Sequence, residues 1–136
     1  SSHGVRIDLL VRGNCSLITG VPGVSDTIRI NGIIDRYLEH SRIFIFANGG
    51  DEKMFIGSAD WMPRNLDNRV EVITPVYDSR IKEDLWKVID FGLRGNCQGS
   101  VVDGSGKNCL WTTDTEESFR SQEELYKYYK SHITND

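Results

Sequence analysis

The sequence predicts an α/β fold, a sandwich in which a mixed β-sheet is flanked by helices. Three observations predict it. Apolar residues alternate over residues 5–12. A hairpin signature surrounds Asn48-Gly49-Gly50-Asp51. Two stretches of helical periodicity follow, one over residues 81–93 and one opening at Ser121. The expected order is β, α, β-β-β, α, loop, α.

Taken in order, residues 5–12 read as a strand with Val5, Ile7, Leu9 and Val11 on one face and Leu10 and Arg12 on the other. Gly13, Gly20 and Gly23 then make a loop. Ser25 and Asp26 are N-cap candidates for a helix through Ile28, Ile30, Ile33, Ile34, Tyr37 and Leu38. Residues 40–47 read as a strand, and residues 54–59 as its hairpin partner. Residues 69–73 alternate as a third strand that Pro75 stops. Asp78 or Ser79 caps a helix over Ile81, Leu85, Val88, Ile89 and Leu93. Residues 94–115 are rich in Gly, Asn, Ser and Asp and read as loop, with a short hairpin of residues 100–103 against 109–112. Ser121-Gln122-Glu123-Glu124 matches a capping box and opens a last helix through Tyr128 and Tyr129.

The chain of 136 residues has the length of a single domain with one core. Its 38% apolar and 26% charged residues are ordinary for a globular protein. No apolar run approaches the ~20 residues of a membrane span. Ser1-Ser2-His3-Gly4 lacks the charged and apolar regions of a signal peptide. A strand that starts almost at once is expected of a domain cut from a longer polypeptide. Cys15, Cys97 and Cys109 are odd in number and show no CxxC spacing, which suggests reduced cytosolic thiols. A net charge of -4 argues against broad binding of nucleic acid, yet a few arginines in one cleft still suit an anionic ligand.

The chemistry concentrates around His40. Arg42 follows two residues later, on the same face of a strand, and the return strand ends in Gly57-Ser58-Ala59-Asp60. Such a cluster suits a phosphoryl group, because histidine attacks phosphorus or moves a proton and arginine grips phosphate oxygens with two donors at once. The plainer alternative is a histidine that ends a helix and caps its carbonyls. Arg12 lies at the carboxyl end of the first strand, where ligands gather in such sheets, and the following Gly13 lets a ligand approach the backbone. Its alternative is a plain surface arginine. Arg64 and Arg69 flank Asn65-Leu66-Asp67. They either add charge to the site or sit on a solvated turn with weak ion pairs to Asp67 or Glu71. Asp60 either orients His40 or caps the turn at Trp61-Met62-Pro63, and Trp61 reads as core. Gly20-Val21-Pro22-Gly23 is not a P-loop, since no Gly-Lys-Ser/Thr follows. No set of His, Cys and carboxylates has metal-ligand spacing.

The pattern His-x-Arg, hairpin, Gly-Ser-x-Asp resembles a degenerate form of the His-x-Lys and Gly-Ser-x-Asn signature of the phospholipase D superfamily. Several separated blocks resemble, more specifically, the C-terminal catalytic domain of bacterial polyphosphate kinases. These are Val11-Arg12-Gly13, then Val21-Pro22-Gly23-Val24-Ser25, then residues 34–44, which include His40, then Asn48-Gly49-Gly50-Asp51, then residues 58–67, and then Arg69-Val70-Glu71. The resemblance is dense over residues 4–90 and resumes at Arg120-Ser121-Gln122. It implies a phospholipase D-like sandwich. It also implies reversible transfer of the ATP γ-phosphoryl group to polyphosphate through a phosphohistidine in a neighbouring upstream domain. Arg12 would then bind ATP or polyphosphate phosphates. His40 would contact the nucleotide phosphates and act as general acid/base opposite the nucleophile, and Arg69 and Arg64 would add positive charge. Magnesium (Mg2+) would arrive with ATP. Implied partners are ATP/ADP, inorganic polyphosphate, the upstream domains of the same chain and, at full length, further copies in a homo-oligomer. The implied location is cytoplasmic, with peripheral membrane association open to the full-length enzyme. Ile18 and Thr19 stand where the family often has arginine and proline before the Val-Pro-Gly loop, and residues 95–115 depart from the family pattern.

This chain has no nucleophile block, so by itself it is expected to be inactive. Two other readings compete. One is a half-site of a phospholipase D-like phosphodiesterase, disfavoured by Arg42 and Asp60 where lysine and asparagine are usual. The other is a non-catalytic phosphate-binding or assembly domain.

Overall fold

Along the chain, the computed structural model forms β1 (Ile7–Val11), β2 (Ile28–Ile33), β3 (Ile43–Phe46), β4 (Lys53–Gly57), the short helix α1 (Pro63–Leu66), β5 (Ile73–Pro75), α2 (Ser79–Arg94), β6 (Gly99–Val101) and α3 (Ser121–Ile133). It describes residues 1–107, 109–113 and 117–133. The chain divides into two compact units: Ser1–Glu39 with Val88–Asp136, and His40–Lys87. The division falls inside α2.

The first unit is built on a mixed sheet of order β1-β2-β6. β1 and β2 run parallel, from Ile7 opposite Ile28 to Val11 opposite Gly32, and β6 pairs antiparallel on the other edge of β2. Helix α2 lies so close to this sheet that a Cβ on Gly92 would come within 2.5 Å of a Leu10 methyl. Glycine is therefore the residue that fits there. Asn31 is fully buried and donates from Nδ2 to the Gly92 carbonyl at 3.2 Å. Ile30, Ile33 and Trp111 form the buried apolar centre. Phe91 meets Phe119 and Tyr128 edge to face. Arg120 marks the approach to α3, whose first turn carries Glu123 and Glu124 and whose last turn carries Lys130 and His132, the charge order a helix dipole favours.

The second unit is an antiparallel sheet of order β3-β4-β5. The β3–β4 hairpin turns where expected. Asn48, Gly49 and Gly50 all take positive φ (45°, 65° and 100°), which is why two glycines sit there. Met54, Ala59 and Val76 are its buried apolar residues. The Asp78 carboxylate accepts the Arg80 backbone N–H at 2.9 Å where α2 begins, the capping role the sequence predicts.

Three expectations need correction. The helix expected through residues 28–38 is absent: Ile28–Ile33 is β2, the central strand of the first sheet. Isoleucines at 28, 30, 33 and 34 satisfy a helical spacing and a strand alternation about equally. Burial between β1 and β6, which suits β-branched side chains, decides for the strand. Ser25, read as a helix cap, instead closes the preceding turn, accepting from Val21 N–H and donating to the Ile18 carbonyl. The third strand lies at Ile73–Pro75 rather than residues 69–73, and Val70 is 99% exposed. Pro75 belongs to this strand instead of ending it, which an edge position allows because the missing N–H interrupts no inner ladder. The strand expected from residue 40 is confined to Ile43–Phe46, so His40 and Arg42 precede it. The short hairpin in residues 94–115 is present: Ser100 bridges Leu110, and Val101 N–H donates to the Cys109 carbonyl at 2.8 Å. Cys15, Cys97 and Cys109 are free thiols.

Candidate active site

Arg12 follows β1 directly, at the carboxyl end of a strand in a mixed sheet. It is half-buried and lines an open cleft of about 220 Å³ with Asp35, Tyr37, Leu38 and Glu39. Its Nη1 donates to the Glu39 carbonyl at 3.0 Å, which ties one edge of the guanidinium to this wall. The segment after β2 that forms this wall is itself held in place. Arg120 clasps the Asp35 carboxylate through Nε and Nη2, with Nε 3.1 Å from Oδ2. The Asp35 side chain is only 1% exposed, and the Arg120 hydrogen bonds hold its carboxyl below the usual carboxylate pKa. Gln122, in the first turn of α3, accepts from Tyr37 N–H at 3.0 Å and donates to the Tyr37 carbonyl at 2.8 Å and to the Glu39 carboxylate at 2.7 Å.

In the second unit, His40 is exposed and Arg42 bridges it to Asp60. Arg42 donates Nε to Asp60 Oδ1 at 3.1 Å and Nη2 to Oδ2 at 3.2 Å, a two-pronged contact. Its Nη1 donates to the His40 carbonyl at 2.9 Å and lies 3.0 Å from Nδ1 and 3.2 Å from Nε2 of the ring. Near-equal distances to both ring nitrogens place that Nη1 over the face of the imidazole. Asp60 therefore orients Arg42, and Arg42 in turn meets His40. Of the two roles open to Asp60, orienting His40 or capping the turn at Trp61-Met62-Pro63, these contacts support the first, with the arginine between them.

Beside this lies a second polar group. The Ser58 hydroxyl and Asn65 Nδ2 both donate to the Glu71 carboxylate, the latter at 2.8 Å, and Val72 N–H donates to Ser58 Oγ at 3.1 Å. The Ser58 bond, then that of Asn65, lowers the Glu71 pKa. Arg69 is exposed and attracts Glu71 without displacing those partners. Arg64 is exposed on α1. Trp61, expected in the core, is 72% exposed and stacks on Phe44 with ring centroids 5.9 Å apart. It lies beyond the end of β4, two residues after the buried Ala59.

The structure thus places Arg12 in the first unit and His40, Arg64 and Arg69 in the second. It brings His40 together with Arg42 and Asp60. Reasoning from sequence misses Asp35, Arg120 and Gln122 as parts of the Arg12 wall, and Glu71 as the acceptor for Ser58 and Asn65. The one signal available is the return of the family-like pattern at Arg120-Ser121-Gln122. Among the described residues, no three His, Cys, Asp or Glu side chains gather to hold a metal ion. Among them, too, no helix is long and apolar enough to cross a membrane.

Known proteins are similar to this chain in sequence and in fold. The family model described as "Polyphosphate kinase C-terminal domain 2" matches residues 1–122. The polyphosphate kinase of Escherichia coli (strain K12) is 45% identical over 131 residues, which cover 96% of this chain and 19% of that protein. The polyphosphate kinases of Salmonella typhimurium (strain LT2) and Vibrio vulnificus (strain YJ016) are 43% and 41% identical, with the same coverage. The crystal structure of polyphosphate kinase from Porphyromonas gingivalis superposes with a TM-score of 0.91 at 41% identity, covering 99% of this chain and 21% of that one. The chain therefore spans about a fifth of the length of these relatives.

Proposed function

The chain belongs to the polyphosphate kinase C-terminal domain family, and we propose that it supplies one half of the active site of an ATP:polyphosphate phosphotransferase. The other half, with a phosphohistidine nucleophile, lies in a neighbouring upstream domain of the full-length enzyme. The single observation that carries this reading is Arg12: a half-buried arginine at the carboxyl end of β1, bonded through Nη1 to the Glu39 carbonyl and lining a cleft.

Phosphoryl transfer asks a protein mainly for positioning and for stabilisation of charge on the transferring group. Arg12 supplies planar paired donors to the phosphate oxygens of ATP or of the polyphosphate chain. His40 contacts the nucleotide phosphates and holds or releases a proton on the oxygen opposite the nucleophile. Arg69 and Arg64 add positive charge on the His40 side. Magnesium would arrive with the ATP phosphates, whose oxygens are its usual ligands. ATP/ADP and polyphosphate are the small partners, the upstream domains are the covalent ones, and the full-length enzyme works as a homo-oligomer in the cytoplasm.

The test is polyphosphate synthesis from ATP by the full-length enzyme. Arg12→Ala and His40→Ala are each expected to lose roughly 10²–10³ in rate, the usual loss for one donor to a developing charge, with unchanged thermal unfolding. Near-normal rates for both variants would remove this site assignment. Cleavage of a phosphodiester by the parent enzyme would favour the phosphodiesterase reading instead.

A further inference from the structure

We infer that Gln122 is a positioning residue for Arg12, acting through the segment of residues 35–39, with Arg120 as its buried anchor. This rests on the reading of Arg12 as a phosphate-binding residue.

One donor of the Arg12 guanidinium, Nη1, is held by a backbone carbonyl, that of Glu39, in a segment with no strand or helix of its own. An irregular segment keeps a carbonyl in place only if other groups fix the backbone around it. The residues near the start of α3 do this at three points. Gln122 pairs with Tyr37 through both its N–H and its carbonyl, the two-bond pattern by which one strand residue holds another. The same amide nitrogen, Nε2, also donates to the Glu39 carboxylate, on the very residue whose carbonyl receives Arg12. Arg120 fixes the start of the segment through the nearly solvent-free Asp35 carboxylate. The Gln122 contacts join residues 83 and 85 positions apart in the chain. Gln122 reaches the Arg12 side chain only through the Glu39 backbone, so its loss misdirects the guanidinium without removing it. Charge is unchanged, whereas orientation is lost, and small misplacements near a reacting group are costly.

The experiment is a double-mutant cycle in the full-length enzyme, read as kcat/KM for ATP in polyphosphate synthesis, with thermal unfolding measured on every variant. Gln122→Met keeps the length and packing of the side chain and removes its hydrogen bonds. It is expected to lower kcat/KM about tenfold, the scale of one oriented bond near a charged group, mainly through KM. In an Arg12→Ala background the same substitution is expected to cost nothing further, because the group it orients is gone. Should the Met variant not accumulate as folded protein, Gln122→Glu retains the acceptor for Tyr37 N–H and replaces the donation to Glu39 by repulsion, and it gives the same readout. A full loss in both backgrounds, or no loss from Gln122→Met while Arg12→Ala is impaired, overturns the inference. Unimpaired Arg12→Ala overturns the underlying reading of Arg12 instead, so the two failures are distinguishable.

Discussion

The walls of the two halves are built in opposite ways. Around Arg12, the groups that matter come from distant parts of the chain. Asp35 meets Arg120 and Glu39 meets Gln122 across more than eighty residues, and the Asp35 carboxylate is almost fully buried. Around His40, the groups come from one hairpin and its turns. Arg42 lies two residues away and Asp60 eighteen beyond that, and both are partly open to solvent. A site fixed by distant buried pairs ties its geometry to the stability of the fold. A site fixed by a local, part-exposed pair shifts its geometry at little cost in stability. Similar polar contacts thus serve different ends depending on burial and sequence separation.

Substitutions put that contrast at risk. The largest expected change in stability is from Arg120→Ala, which leaves a buried carboxylate without its partner. Thermal unfolding should fall by roughly 5–10 °C. The same pair gives a pH signature. The folded-state pKa of Asp35 lies below its ordinary value, so the pair stabilises the fold above the unfolded carboxylate pKa of about 3.9 and loses that contribution as pH falls through the folded value. Parent and Arg120→Ala proteins should therefore converge in unfolding temperature as the pH is taken well below the unfolded value, towards protonation of Asp35 in both states. A gap that persists undiminished there would show that Asp35 is not the group responsible.

Asp60→Asn is expected to act the other way round. It keeps the shape, halves the two-pronged contact with Arg42, and should slow polyphosphate synthesis by the full-length enzyme roughly tenfold, about one charged hydrogen bond, while moving the unfolding temperature little. An equal loss of stability in this variant and in Arg120→Ala would erase the contrast between the halves. The smallest effect belongs to Trp61→Ala. Its ring stacks on Phe44 but is mostly exposed, so urea denaturation should show a loss of no more than about 1 kcal/mol. A core-sized loss of about 3 kcal/mol or more would mean that the ring is buried in solution, as its residue type alone suggests.

Much of the His40 half is legible in the residues alone. Two adjacent glycines with Asn48 mark a turn, and apolar residues on either side mark its strands. His40, Arg42 and Asp60 then fall near one another by chain geometry. Helix α2 is equally readable, because its apolar residues recur at helical spacing behind an Asp78 cap. The Arg12 half is legible only as far as Arg12 itself, at the end of an alternating strand. The stretch from Ile28 carries isoleucines that suit two periodicities, and nothing local separates them.

Short-range chemistry accounts for the features that could be read from the residues: the alternation of β1, the glycine turn, the cap and periodicity of α2, the opening of α3 at Ser121, and the ordered blocks that mark the family. The features that needed the folded chain all depend on a distant partner. Ile28–Ile33 is a strand because β1 and β6 pair with both of its edges. Trp61 lies past the end of β4, largely exposed, and stacks on Phe44 of β3. Asp35 is a buried anchor because Arg120 returns to meet it. Backbone edges and buried charges are satisfied by whichever groups folding brings within reach, and long-range packing makes that choice rather than the residues alongside.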